Sequence, residues 1–96
     1  MAVAERLALS MAIIISLHAL RQASSRGATR KEIIEVLNSG FPIRAKYGRR
    51  GKAKVFSFGR ERLGHFYEHR RLEVFYKQEG GDIIVITVYV FYGKWE

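Results

Sequence analysis

Residues Ser16–Gly40 read SLHALRQASSRGATRKEIIEVLNSG, and the way this stretch divides decides the fold. Ser16 is placed to cap a helix running from about Leu17 to Ser25, in which Leu17, Leu20 and Ser24 share a face at helical spacing. Arg26-Gly27 ends it, and Gly27 is expected to take a positive φ, because a residue without a β-carbon enters that region at little cost. Thr29 then opens a second helix with a capping box. Its hydroxyl faces the Glu32 amide and the Glu32 carboxylate reaches back to the Thr29 amide, while Ile33, Val36 and Leu37 form the apolar stripe. Asn38-Ser39-Gly40 stops this helix.

Beyond Pro42 the apolar period changes from helical to two. Strands are expected near Ile43–Tyr47, Lys54–Phe58, Arg71–Lys77 and Ile83–Phe91, with Gly80-Gly81 turning the last two into a hairpin. Strict alternation puts Leu72, Val74 and Tyr76 on one side with Ile84, Ile86, Val88 and Val90, facing the helices. The other side then carries Ile83, Val85, Thr87, Tyr89 and Phe91, a mixture suited to stacking on a nucleic-acid strand and equally ordinary for a second sheet face. The class is α+β: two N-terminal helices packed on one face of a four-stranded, mainly antiparallel sheet.

The whole chain has 96 residues, enough for a single core. Its 48% hydrophobic content and single proline exclude disorder. The absence of cysteine removes disulfides, thiolate ligands and cysteine nucleophiles, and it fits a cytoplasmic protein. Leu7–Leu17 is too short to span a bilayer and Glu5 and Arg6 cancel ahead of it, so neither export nor a membrane partner is expected. Met11 offers an alternative start; residues 1–15 are assigned to an extension of helical character and residues 16–96 to the domain.

Charge is regional. Phe41–Arg71 contains ten Lys and Arg against two acids, an excess equal to the net charge of +8. A surface with that bias suits a polyanion, and RNA is the expected partner. Arg44, Lys46, Arg49, Arg50, Lys52, Lys54 and Arg71 are the expected nucleic-acid contacts, with KYGRRGKAK forming a charged hairpin tip around Gly48 and Gly51.

Three residues are candidates for chemistry, each with a plain alternative. His18 is either a general base for a ribose 2′-hydroxyl or a structural group bonded across to the sheet. Arg26 either holds a phosphate or satisfies carbonyls at the helix end. Tyr89 either stacks on a base or donates to a phosphate, or it is simply a good strand former. His65 and His69 stand four apart, but with no cysteine and no convergent carboxylates a metal site is rejected, and no cofactor is expected. No phosphate-binding glycine loop or serine elbow is present.

The stretch SLHALRQASSRGATRKEIIEVLNSG resembles the motif H-A-x-x-R-x-x-x-R-G-I-S-x-x-E-[IV]-x-x-x-L, and IIVITVYVFYGKW resembles the closing strand, of the bacterial domain of unknown function 4258. The chain departs from the motif at Gln22, where the family has an arginine, and at Ala28, where it has isoleucine. That family is distantly similar to the RelE and ParE toxins. The resemblance implies a RelE-like fold, a metal-independent endoribonuclease toxin acting on RNA, free or on the ribosome, and a cognate antitoxin. The alternative it leaves open is a relative of the same fold that binds RNA or protein without cleaving.

Overall fold

The computed structural model describes residues 12–96; the expected helical character of residues 1–11 lies outside them. Two helices form where the capping signals placed them. Helix α1 spans Leu17–Arg26, with the Ser16 hydroxyl accepting from the Ala19 amide at 3.0 Å. At its end Gly27 has φ 88°, its N–H donates to Ser24 C=O, and the Ala28 N–H donates to Ala23 C=O at 2.8 Å. This pair of backward bonds satisfies carbonyls that a helix end otherwise leaves open. Helix α2 spans Arg30–Ser39 behind the complete Thr29–Glu32 capping box and buries Ile33, Val36 and Leu37.

The sheet has five strands, β1 Ile13–Ile15, β2 Phe41–Ile43, β3 Arg50–Arg62, β4 His65–Glu79 and β5 Asp82–Gly93, in the order β1-β5-β4-β3-β2. This corrects the expectation of four strands. The additional strand, β1, pairs parallel to β5 through Ile13–Ile83, Ile14–Ile84 and Ile15–Val85, so the sheet is mixed. Its three isoleucines fall within the stretch expected to be a helical extension; they are β-branched residues beside the apolar start of β5, and Ile13 and Ile15 pack against the core. The β3 and β4 strands also run further than expected, continuing past Phe58 into a long hairpin that turns at Leu63-Gly64. Strand β2 lies earlier than expected: it shares only Ile43 with the expected Ile43–Tyr47, because the chain leaves the ladder after Ile43 and residues 44–47 belong to the connection to β3.

The core lies between the helices and one face of the sheet. It joins Ala19 and Ala23 of α1 and the α2 stripe to Leu72, Val74 and Tyr76 of β4 and Val85 and Val88 of β5. The buried stripe of α1 is thus two alanines; the expected Leu17 is exposed and Ser24 is exposed. Small side chains let the helix backbone lie close to β5, and that proximity shapes the site.

Alternation along β5 is broken once. Phe75 pairs with Thr87 but Tyr76 pairs with Val85, so Ile86 has no partner of its own. This β-bulge resets the phase of the strand. Ile83 and Val85 before it, and Val88 and Val90 after it, all lie against the core, where strict alternation would have turned the first two outward. The expectation for Ile84 and Ile86 is corrected accordingly, whereas Thr87, Tyr89 and Phe91 keep the outward assignment.

A buried ion pair ties the helix corner to the sheet. Arg70, 8% exposed, donates to both carboxylate oxygens of Glu32 and to Gly27 C=O, and its guanidinium lies 5.4 Å from the Phe56 ring. Burial pushes the Glu32 carboxyl up, but the Arg70 hydrogen bond, the Thr29 backbone N–H and the Arg70 charge together outweigh it and hold the group below its ordinary value.

Candidate nucleic-acid interface

Residues paired directly across antiparallel strands share a face, so the ladder identifies what the uncovered side of the sheet presents. One row runs Phe41, Ala53, Glu73, Tyr89 and the next Ile43, Gly51, Phe75, Thr87. Tyr89 meets Phe75 edge-on at 5.8 Å between ring centres and stacks beside Phe91 at 6.2 Å. Arg71 belongs to the same face, but its Nε donates to Glu73 at 3.0 Å and its guanidinium covers Phe41.

At one border of this face, α1 closes an edge that the three-residue β1 leaves open. The Val88 N–H donates to Gln22 Oε1 at 3.1 Å, and Arg26 Nη1 donates to Val88 C=O at 2.8 Å. Gln22 thus supplies an acceptor that an arginine, which has donors only, does not possess. The Tyr92 hydroxyl donates to Arg26 C=O at 2.6 Å and pins the end of the helix. Arg26 therefore does satisfy a carbonyl, though one on β5 and not at its own helix end. In the same pose its guanidinium stands 5.4 Å from the centre of the Tyr89 ring. His18 is exposed and belongs to the same helix stripe as Gln22 and Arg26, at i, i+4 and i+8, about 6 Å up the axis from Gln22. No hydrogen bond joins it to Tyr89 among the described residues.

The opposite border is the basic hairpin tip between β2 and β3. Arg44, Ala45, Lys46, Tyr47 and Arg49 line a groove of about 290 Å³ together with Phe75, Thr87 and Tyr89. A tight turn shapes the tip: Arg49 N–H donates to Lys46 C=O at 3.1 Å, and both central residues, Tyr47 and Gly48, have positive φ, 60° and 71°.

The ladder divides the expected basic contacts between two faces. Arg44, Lys46 and Arg49 line the groove. Arg50, Lys52 and Lys54 pair with Tyr76, Val74 and Leu72 and so belong to the helix side. Lys52 donates to Leu37 C=O at 2.7 Å, and Lys54 donates to Glu35 at 2.6 Å and to Ser39 at 2.9 Å, so both lysines hold α2 onto the sheet. His65 and His69 lie on β4 and not on a helix; His69 Nδ1 accepts from the Trp95 N–H at 3.1 Å, which folds the aromatic tail back onto the sheet. Sequence reasoning misses Tyr47, although a tyrosine directly before a glycine inside a run of bases marks a turn with an aromatic at its tip.

The fold and this surface define a small α+β domain with one helix-covered face and one open face that is aromatic at its centre and basic along its rim. The chain belongs to the family described as Domain of unknown function (DUF4258), whose model matches residues 15–90. No curated protein and no solved structure matches the chain significantly. Among the described residues no helix is long and apolar enough to cross a membrane.

Proposed function

We propose that this chain is a RelE-like ribonuclease toxin whose open face holds RNA and whose Arg26 and Tyr89 stand at the scissile phosphate. The observation that carries the proposal is the guanidinium of Arg26 over the Tyr89 ring, on a face that continues into a groove lined by Arg44, Lys46 and Arg49. Cleavage by an internal ribose hydroxyl needs a proton acceptor for the 2′-OH, positive charge at the phosphate and a donor for the departing 5′-oxygen, all in one place. The 2′-oxygen forms the new bond to phosphorus as the bond to the 5′-oxygen breaks, leaving a 2′,3′-cyclic phosphate and a 5′-hydroxyl. Arg26 supplies the charge. Tyr89 is the group beside it able to exchange protons; the exposed His18, about 12 Å along the helix axis from Arg26, is the other such group on this stripe. A toxin of this kind acts in the cytoplasm, arrests growth when expressed alone and is held in check by an antitoxin.

The alternative is a module that binds RNA without cleaving it, and one observation favours it: the Arg26 guanidinium is already engaged by Val88 C=O. Incubation of the protein with RNA, with and without ribosomes, separates the two. Breaks ending in cyclic phosphate that fall about a hundredfold or more in Tyr89→Phe or His18→Ala support the nuclease. Binding without breaks by the parent protein selects the module.

A further inference from the structure

Tyr47 occupies a conformation that its residue type does not favour. In the Lys46–Arg49 turn the two central positions have positive φ, a geometry that glycine and asparagine adopt readily and that a tyrosine enters only against the steric pressure of its β-carbon. Its ring gains no burial in exchange, because Tyr47 is 88% exposed. Leu63 in the β3–β4 turn has a similar φ of 53° and the same 88% exposure, so what singles out Tyr47 is its aromatic ring, which this closed turn holds at a groove. The surroundings say what the ligand is. Tyr47 lines the same groove as Phe75, Thr87 and Tyr89, and the residues that flank it along the turn are Arg44, Lys46 and Arg49.

We infer that Tyr47 is a stacking platform for one unpaired nucleotide of a single-stranded RNA. The base lies in the groove between Tyr47 and the Phe75–Tyr89 wall, while Arg44, Lys46 and Arg49 take the phosphates on either side. An aromatic face opposite apolar and aromatic groups suits a base, which has a π-face whatever its identity, and cations on both sides suit the backbone. The volume of about 290 Å³ lies just below the range of about 300–1,000 Å³ for small-molecule sites, which suits one base and not a larger ligand. The inference rests on the RNA-directed reading above and names the residue that makes it selective for unpaired strands.

The test is a fluorescence anisotropy titration of a labelled ten-nucleotide single-stranded RNA, and of the same RNA annealed to its complement, against the parent protein, Tyr47→Asn and Tyr47→Phe. Asparagine suits the turn, so Tyr47→Asn keeps a melting temperature at or above that of the parent. The expected result is a single-strand affinity at least about tenfold weaker for Tyr47→Asn, unchanged binding of the duplex, and single-strand binding retained by Tyr47→Phe. A parent that binds the single strand while Tyr47→Asn binds it equally well overturns the platform and leaves the RNA reading standing. A parent that binds neither RNA, or an affinity for other proteins alone, overturns both.

Discussion

The Arg26 guanidinium lies 5.4 Å above the centre of the Tyr89 ring, although the two residues come from a helix on one side of the sheet and a side chain on the other. The meeting happens at the edge of β5. Helix α1 is drawn close by Ala19 and Ala23, and β1 is too short to cover the strand beyond Val85, so a long side chain from the helix reaches around to the open face.

Gln22 and Arg26 substitute for a neighbouring strand at Val88. Replacing Gln22 with alanine leaves the partly buried Val88 N–H without its acceptor and is expected to cost about 1–2 kcal/mol in urea unfolding. Hydrogen exchange at the Val88 amide should accelerate as well. Unchanged stability together with unchanged exchange would show that this hydrogen bond has no energetic weight.

If the open face holds RNA as proposed, the division of the basic stretch between two faces should separate binding from stability. Alanine at Arg44, Lys46 and Arg49 is expected to weaken RNA affinity and to flatten its dependence on salt, by about 0.7 in the log–log slope for each single-strand phosphate that is no longer neutralised. Lys52→Ala should instead lower stability, because it releases Leu37 C=O, and should leave the salt slope alone. The reverse assignment of the two effects would contradict the face that the ladder gives each residue.

Acid should loosen the helix corner through Glu32. Its carboxyl is held below the ordinary value of 4.5, so the folded state favours the ionised form. The resulting stabilisation is complete above the unfolded value and is lost as pH falls from about 4.5 through the lower folded value. Glu32→Gln is expected to be less stable than the parent at pH 7 and to show a shallower loss over the acid range. Equal slopes for the two proteins in acid unfolding curves would remove Glu32 as the source.

Gly27 is confined twice, by its φ of 88° and by a hydroxyl beside it. A β-carbon there would come within 2.5 Å of the Tyr92 oxygen that bonds Arg26 C=O. Gly27→Ala should therefore lose about 1–2 kcal/mol from backbone conformation alone, with a further loss from displacement of Tyr92. Thermal unfolding measures the sum, and a variant as stable as the parent would be incompatible with this corner.

The bulge at Ile86 permits an unusual test. Deleting Ile86 joins Val85 to Thr87 and restores regular alternation with every other residue still on its observed face and opposite its observed partner. The deletion is expected to fold, at a cost of about 1–2 kcal/mol from the half-buried apolar side chain removed. Deletion of Val88 instead removes a core side chain and reverses the phase that follows, so it should not fold stably. Circular dichroism melts of the two deletions give the answer, and similar behaviour of both would argue against the bulge.

Much of this architecture is legible in the residues because the interactions that encode it are short. Ser16 with Ala19, Thr29 with Glu32 and Gly27 with Ser24 each act within three residues, so the caps, both helices and the tight corner between them are determined by the sequence itself. Gly80-Gly81 similarly encodes the β4–β5 hairpin, and charge counting finds Arg44, Lys46 and Arg49. The tertiary structure alone decides the rest. Pairing of β1 with β5 joins residues 70 positions apart, and nothing local to Ile13–Ile15 specifies a parallel partner. The Ile86 bulge exists only in the pairing of β5 with β4, and it cannot be read from the apolar run Ile83–Ile86, in which every residue suits either face. Lys52 and Lys54 are separated from Arg49 by a ladder register, and Arg26 is brought to Tyr89 by the approach of a helix to a strand edge. Local hydrogen bonds fix backbone conformation over one turn, whereas a face, a register and a convergence of side chains exist only once distant segments have packed.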